Sequence, residues 1–123
     1  MFTIDETEDM LNEIAEEIPQ EFYKELNGGI VLREEAKLHP ADIGNDYFVM
    51  GEYNSDSQLG NFIAIYYGSF VQTYGNDTLE NYKNKLRSVL KHEFRHHVER
   101  MVGVVDLDIE DIEDIQKYLK TRE

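Results

Sequence analysis

The 123-residue sequence predicts a single α+β domain over residues 1–123, and three observations favour this class. Helical periodicity occupies both ends of the chain, whereas strand-like segments lie between them. Helices do not alternate with these strands, which disfavours a doubly wound parallel fold. The length provides for one hydrophobic core but not for a second. We therefore expect a small mixed or antiparallel sheet packed against the longest helix.

The first predicted element is a helix over residues 6–26. Pro19 lies inside this helix and is expected to bend or split it, because proline has no N–H to donate to the helix backbone. The sequence Asn27-Gly28-Gly29 is expected to end the helix. One stripe at helical spacing carries its apolar side chains: Met10, Leu11, Ile14, Ile18, Phe22 and Leu26.

Three short strands are predicted in the middle of the chain. The first covers residues 30–32, and the segment 34–46 that follows is predicted to be a loop. Apolar and aromatic residues in 47–53 and in 62–67 predict two further strands. A polar turn at 54–57 joins these two strands, so we expect them to pair with each other.

The longest predicted helix covers residues 77–101. Asp77 or Thr78 can cap its first turn, Glu80 occupies the position of a capping-box acid, and Gly103 is expected to stop it. Its apolar stripe consists of Leu79, Leu86, Leu90, Phe94 and Met101, flanked by Tyr82, Val89 and Val98. A last helix over 108–119, with Ile109, Ile112, Ile115 and Leu119 at helical spacing, is expected to close the core.

The segment His92-Glu93-Phe94-Arg95-His96 carries the pattern H-E-x-x-H on the longest helix. Two histidines four residues apart point the same way and can hold one metal ion, while the glutamate between them can hold the metal-bound water and take its proton. Both histidines lie opposite the apolar stripe, and Glu93 lies at the edge between the two faces. The alternative is a solvated helix that carries a histidine pair without a metal.

The other two histidines have different predicted roles. His97 lies near the apolar stripe, so we expect a partly buried histidine with satisfied hydrogen bonds and not a ligand. His39 precedes Pro40 in the predicted loop, and we expect it to be structural or to face solvent.

A third protein ligand is needed, because catalytic zinc takes three ligands from the protein and leaves one position for water. Asp106 is the leading candidate, since the chain is expected to leave the helix at Gly103 and can fold back towards the metal. Glu99 lies about 10 Å along the helix axis from His92, so we expect it to contact a histidine nitrogen and not the metal. Two further acids remain open as alternatives, Asp108 and Glu110.

Three stretches of the sequence resemble a known protein family. Residues 92–99 and 103–107, together with 59–70 upstream, are similar to the small zincin-like metallopeptidases, or minimal zincins, in which H-E-x-x-H is followed by a glycine and then an aspartate. The resemblance covers most of the chain from about residue 28 onward. One departure is that six residues separate His96 from Gly103, where the family has two.

The resemblance implies zinc ligands at His92 and His96, a catalytic glutamate at Glu93 and an acidic third ligand at Asp106. It also implies an exposed sheet edge beside the metal, on which an extended peptide can be laid. Residues 59–68 are a candidate for that edge, and the alternative is a buried hairpin that only supports the helix.

The first functional hypothesis is a zinc-dependent metallopeptidase with one Zn²⁺ per chain and weak or narrow activity on a peptide or protein substrate. Glu93 would accept a proton from the metal-bound water and return it to the departing amine. The second hypothesis is a metal-binding or catalytically silent interaction module with the same fold. Four residues are open as the additional stabiliser of the oxyanion: Tyr66, Tyr67, Tyr74 and Arg100.

Charge and composition exclude other classes. The chain has 12 basic and 26 acidic residues, and its net charge of −14 repels nucleic acids and anionic membranes. It has no cysteine, so histidine and carboxylate must provide any metal site. The acidic start lacks the pattern of a secretory signal and no stretch is long enough to span a membrane, so we expect a cytoplasmic protein. The oligomeric state is left open.

Overall fold

A computed structural model describes residues 1–44, 46–102 and 117. Its elements confirm the predicted α+β class, with helices at both ends of this order and strands between them. The chain begins with α1 (Ile4–Glu17) and a 3-10 turn (Gln20–Tyr23). The strands are β1 (Gly29–Arg33), β2 (Lys37–Leu38), β3 (Phe48–Val49), β4 (Gly51–Asp56) and β5 (Gly60–Tyr66). They are followed by α2 (Tyr67–Tyr74) and α3 (Leu79–Val102).

The main sheet is mixed and has three strands in the order β1-β5-β4. Strand β5 lies in the centre, where it pairs in parallel with β1 and antiparallel with β4. The short strands β2 and β3 form a separate antiparallel pair. Only Met50 separates β3 from β4, and its carbonyl accepts a hydrogen bond of 2.9 Å from the N–H of Tyr66.

Helix α1 shows how the sequence sets both of its ends. Thr3 and Glu6 form a capping box: the Thr3 hydroxyl accepts from the N–H of Glu6 at 3.1 Å, and the Glu6 carboxylate accepts from the N–H of Thr3 at 2.9 Å. The helix ends at Glu17, and Ile18 adopts an extended conformation because Pro19 disfavours a helical residue before it. The predicted helix over 6–26 is therefore split.

The core lies between one face of the main sheet and the helices α1 and α3. Leu86, Leu90 and Phe94 of α3 are fully buried, and the whole predicted stripe of the first helix is buried with them. The hydroxyls of Thr7 and Tyr82 lie 2.8 Å apart and join α1 to α3. Leu79 departs from the predicted stripe, since it is 57% exposed in the first turn of α3.

The opposite face of the sheet carries a smaller apolar cluster, formed by Phe62, Ala64 and Tyr66 with Val31 and Val49. Helix α2 follows β5 without a break, although the sequence pattern did not predict it. Its start is fixed by tertiary packing: Gly68 donates to the carbonyl of Glu34 at 3.1 Å, and a side chain at this position would collide with the backbone of Ala36.

Four predictions fall on residues outside the described part of the chain, and one of them is the stop of the longest helix at Gly103. The terminal helix over 108–119 lies there apart from Lys117, which is helical and exposed. The candidate ligand Asp106 and the alternatives Asp108 and Glu110 lie there as well. Within the described ranges, no helix is long and apolar enough to cross a membrane.

Candidate functional site

The histidine pair of the H-E-x-x-H segment lies on the exposed side of α3. The Nε2 atoms of His92 and His96 face each other at 3.1 Å, and the two rings are nearly perpendicular with centroids 4.7 Å apart. Both imidazoles are exposed to solvent. The helix therefore brings the two predicted ligands together at one point, as expected for residues one turn apart on the same face.

Glu93 is buried beside this pair and is only 7% exposed. Burial raises the pKa of its carboxyl above the ordinary value, and the neighbouring imidazoles of His92 and His96 partly oppose this shift. The backbone N–H of Tyr53 also interacts with the carboxyl and lowers its pKa. Glu93 is thus a more basic carboxylate than one in water, held close to two exposed imidazoles.

Strand β4 forms the sheet edge next to this cluster. A side chain at Gly51 would reach within 2.9 Å of Val89, so the absence of a side chain lets α3 approach the strand. Because Met50 bonds to Tyr66, the alternation of an antiparallel ladder directs the backbone groups of Gly51, Tyr53 and Ser55 away from β5. No described strand pairs with that side of β4.

The predicted peptide-binding edge at residues 59–68 is therefore wrong. This segment contains β5, which is paired on both sides and has no free edge. The alternation of side chains along a strand predicts which of them share a face of the sheet. It does not predict which other strands pair with that strand.

Two cavities flank the cluster and share Gly51 and Glu93 as lining residues. The first has a volume of about 580 Å³ and lies between the segment 47–51 and the Ser88–Glu93 turn of α3. The second has a volume of about 550 Å³ and extends from Gly51 along β4 to Arg100. The two cavities adjoin at Gly51 and Glu93, along the edge of β4 that no described strand covers, and His92 lines the first whereas His96 lines the second. We refer to the two cavities together as the cleft.

His97 is buried as predicted, with 1% of its surface exposed. Its Nε2 lies 2.7 Å from the carbonyl oxygen of Lys24, which can only accept, so Nε2 carries the proton. Its Nδ1 then accepts from the hydroxyl of Tyr53 at 2.7 Å. Burial lowers the pKa of His97 and raises that of Tyr53. The side chain therefore joins α3 to β4 and takes no part in the histidine pair.

His39 is half-buried and lines the first cavity together with His92. Its ring stacks on Tyr47 with centroids 4.4 Å apart, and its Nδ1 accepts from the N–H of Ala41 at 3.0 Å. These contacts agree with the predicted structural role, since they order the loop that forms one wall of the cleft.

Glu99 lies beside His96, on the side away from His92. Its Oε2 is 3.9 Å from Nδ1 of His96, whereas Nε2 of that ring faces the other histidine. The proposed contact of Glu99 with a histidine nitrogen stays a prediction, because this distance exceeds that of a hydrogen bond.

Arg100, one of the four oxyanion candidates, lines a cavity with Glu93. The hydroxyl of Tyr66 donates to Glu52 at 2.7 Å, on the other face of the sheet, and that of Tyr67 donates to the carbonyl of Phe2 at 2.5 Å. Tyr74 lies under the ammonium group of Lys85.

Sequence reasoning missed Tyr53 as a neighbour of Glu93, although the alternation of β4 places it on the face towards α3.

Comparison with known proteins bears on the fold. No family model matches the sequence, and no curated protein matches it significantly. The solved structure of a conserved hypothetical protein from T. thermophilus is similar to it, with 29% sequence identity and a TM-score of 0.70 over 82% of this chain and 98% of that one. The similarity supports the fold described above and gives no function to either chain.

The predicted membership of the minimal zincin-like metallopeptidases is therefore wrong. Such a site requires three protein ligands, and residues 1–44, 46–102 and 117 contain no group of three His, Cys, Asp or Glu side chains that can hold an ion. Helix geometry alone brings histidines four residues apart together, so a five-residue motif identifies no family by itself. The chemistry of His92, Glu93 and His96 has to be judged from their own geometry.

Proposed function

We propose that this protein is a metal-dependent hydrolase that cleaves peptide bonds, with His92 and His96 as ligands to one divalent ion and Glu93 as the general base. Zn²⁺ is the first choice of ion, because two imidazoles and a carboxylate suit it. The observation that carries the proposal is the convergence of two exposed Nε2 atoms, 3.1 Å apart, next to a buried carboxylate at the middle of a cleft.

The imidazole geometry fits a metal ion in part. Two nitrogens bound tetrahedrally at Zn–N distances of about 2.0–2.1 Å lie about 3.3 Å apart, close to the separation of 3.1 Å between His92 and His96. These two residues would hold the ion, and Asp106 is retained as the proposed third ligand. When bound, the ion supplies Lewis-acid polarisation of a carbonyl oxygen and makes a water molecule more acidic.

Glu93 would move the proton. Its burial raises its pKa, which brings its basicity closer to that needed for proton transfer near neutral pH. The backbone N–H of Tyr53 interacts with this carboxyl, so strand β4 lies beside the base. The helix therefore provides a base that water cannot fully solvate.

The free edge of β4 would bind the substrate. An extended peptide can add to such an edge through main-chain hydrogen bonds, and the backbone groups of Gly51 and Ser55 are directed outwards for it, whereas the N–H of Tyr53 interacts with Glu93. The cleft beside this edge would bring a peptide carbonyl next to Glu93. A peptide or protein is therefore the substrate class that the geometry favours.

Metal analysis of the untagged chain, combined with peptide hydrolysis, tests this proposal. We expect about one divalent ion per chain, lost in the His92→Ala/His96→Ala double variant and on chelation. Glu93→Gln should keep the ion and lower hydrolysis by about 10²- to 10⁴-fold, because it removes the base and no ligand. Glu80→Gln, an exposed acid on the same helix, is the matched control and should change neither.

Three results would contradict the assignment. Full metal stoichiometry in the double histidine variant would place the site elsewhere. Equal loss of metal in Glu93→Gln would make this carboxylate a ligand. Asp106→Ala should weaken metal affinity by orders of magnitude and Glu99→Ala by about 10- to 100-fold, so the reverse order would exchange their roles.

A catalytically silent interaction module is the second candidate, and one observation favours it. The 3.1 Å between the two Nε2 atoms is also the length of a hydrogen bond between two neutral imidazoles, in which one N–H donates to the other ring. In that case the cleft would bind a peptide without cleaving it. Binding of peptides that is unchanged by zinc and by Glu93→Gln would support this function over hydrolysis.

A further inference from the structure

We infer that the cleft selects an extended peptide with an apolar side chain at one end and a carboxylate at the other, and that Arg100 binds the carboxylate. The inference rests on the proposed function for the position of the reacting bond, next to Glu93. Its own support comes from the different chemistry of the two cavities on either side of that residue.

The first cavity is apolar along most of its wall. Phe48, Val49 and Met50 contribute from the strand side, and Val89 contributes from α3. All four are partly buried, so an apolar side chain placed between them would remove further apolar surface from water. This end of the cleft favours an apolar residue of the substrate.

The second cavity contains the positive charge of Arg100. Arg100 is exposed, and its guanidinium makes no ion pair with any described residue. Glu52, which lines the same cavity, already binds Lys37 and accepts a hydrogen bond of 2.7 Å from Tyr66. Of the two acids that line this cavity, Glu52 is thus engaged with Lys37 and Tyr66, and Glu93 is buried beside the N–H of Tyr53. A guanidinium pairs well with a carboxylate.

The guanidinium of Arg100 is a local positive charge on a strongly acidic chain. With 26 acidic and 12 basic residues, most of the surface repels an anion. A carboxylate would therefore bind in the cleft through the local contact with Arg100, in spite of the overall charge. This contact gives selectivity for one position in the substrate.

The spacing along the helix defines that position. Gly51 lies against Val89 and Tyr53 bonds to His97, so β4 and α3 run in the same sense along the cleft. The rise from His96 to Arg100 is about 6 Å, at 1.5 Å per helical residue. An extended peptide advances about 3.3 Å per residue, so the carboxylate is expected about two residues from the reacting bond.

Peptide binding to the metal-free full chain tests the inference without hydrolysis. The probes are fluorescein-labelled, C-terminally amidated heptapeptides with leucine on one side of the central bond and glutamate two residues beyond it on the other, in both orders. Matched probes carry glutamine or lysine in place of glutamate. A free-acid peptide that ends at this position separates a chain-terminal carboxylate from a side-chain one.

We expect one order of the glutamate peptide to bind about tenfold more tightly than its glutamine match, as for one charge-assisted contact of about 1.4 kcal/mol. Arg100→Gln should bring this ratio to about one, and Arg100→Glu should favour the lysine peptide. Arg100→Lys should keep part of the preference. Arg33→Gln is the matched control, since Arg33 ends β1 at the opposite edge of the sheet, and it should keep the full ratio.

A wild-type ratio near one, a ratio that persists in Arg100→Gln, or no binding of any probe would overturn the inference. Circular dichroism of each variant establishes that it is folded. Hydrolysis of the same peptides with zinc is measured separately. Cleavage that ignores the glutamate would refute this inference alone, whereas Arg100-dependent binding without cleavage would refute the proposed hydrolysis and leave the carboxylate site supported.

Discussion

His96 and His97 are neighbours in the chain but lie in opposite environments. His96 is exposed, and its Nε2 faces His92 across 3.1 Å. His97 is 1% exposed, and each of its ring nitrogens has a hydrogen-bond partner within the protein. One step along a helix turns the side chain by about 100°, which here separates a face that contacts solvent from a face that contacts the core.

This difference shows that the two faces of α3 have different roles. Its core face holds the fold together through packed apolar groups and one buried histidine network. Its cleft face carries polar groups whose surroundings leave them accessible. We therefore expect substitutions on the core face to change mainly stability, and those on the cleft face to change mainly binding.

The largest expected effect on stability belongs to Phe94 on the core face. Its ring is fully buried and packs edge-on against Tyr23 and Phe22, with centroids 5.0 and 6.2 Å away. Phe94→Ala should lower the free energy of unfolding by about 3–5 kcal/mol, because it leaves a cavity. His96→Ala, two residues along, should change it by less than about 0.5 kcal/mol in the absence of metal. Urea denaturation of both variants measures this contrast, and equal effects would break the comparison.

The buried network of His97 gives the next largest effect. Tyr53→Phe removes the hydroxyl that donates to Nδ1 of His97 and leaves a buried acceptor unsatisfied, at a cost of about 1–3 kcal/mol. Tyr47→Phe is the control, because Tyr47 is 55% exposed and contributes a stacked ring. Thermal unfolding at fixed pH compares the two variants. A Tyr53 variant as stable as the Tyr47 variant would mean that the network does not hold α3 against β4.

The smallest effect is expected at the margin of the cleft, where Glu52 binds Lys37. Burial alone would raise the pKa of Glu52, but hydrogen bonds from Lys37 and Tyr66 outweigh it, so the pKa lies below the usual range. Because the folded-state pKa is the lower one, the contribution to stability is present above about pH 4.3 and is lost as the pH falls through the folded-state value.

The expected size of this contribution is about 0.2–1 kcal/mol, since the Lys37 and Glu52 side chains remain 41% and 30% exposed and solvent screens the pair. The stability difference between wild type and Glu52→Gln should be present at pH 7 and should disappear in acid below the folded-state pKa. Lys37→Met should show the same dependence. A difference that grows as the pH falls would contradict the sign of this linkage.

Local sequence patterns predicted the elements that depend on neighbours in the chain. The period of α3 and the burial of Leu86, Leu90 and Phe94 follow from apolar spacing. The break in the first helix follows from Pro19, whose ring acts on the residue before it. Helical spacing also predicted the convergence of the two histidines, since residues four apart always share a face.

The pairing and order of the strands in the sheet were decided by the tertiary structure. The segment around β5 reads as a strand from its own residues, yet its central place and its parallel pairing with β1 depend on distant segments. Helix α2 likewise starts where packing against residues 34–36 allows it. The sequence motif alone also led to a wrong family, because a ligand pair is local whereas a complete metal site requires a distant third group.

The sequence by itself thus determined the class of fold, the burial of most of the apolar stripes of α1 and α3, and the presence of two imidazoles beside one carboxylate. Only the tertiary structure decided that β4 has an edge that no described strand covers, that Tyr53 holds His97 and that Arg100 shares a cavity with Glu93. The physical reason is how far apart in the sequence the interacting residues lie. Helical and strand periodicities arise from backbone geometry over a few residues, whereas an edge, a cleft and a buried network are made by segments that meet only when the whole core forms.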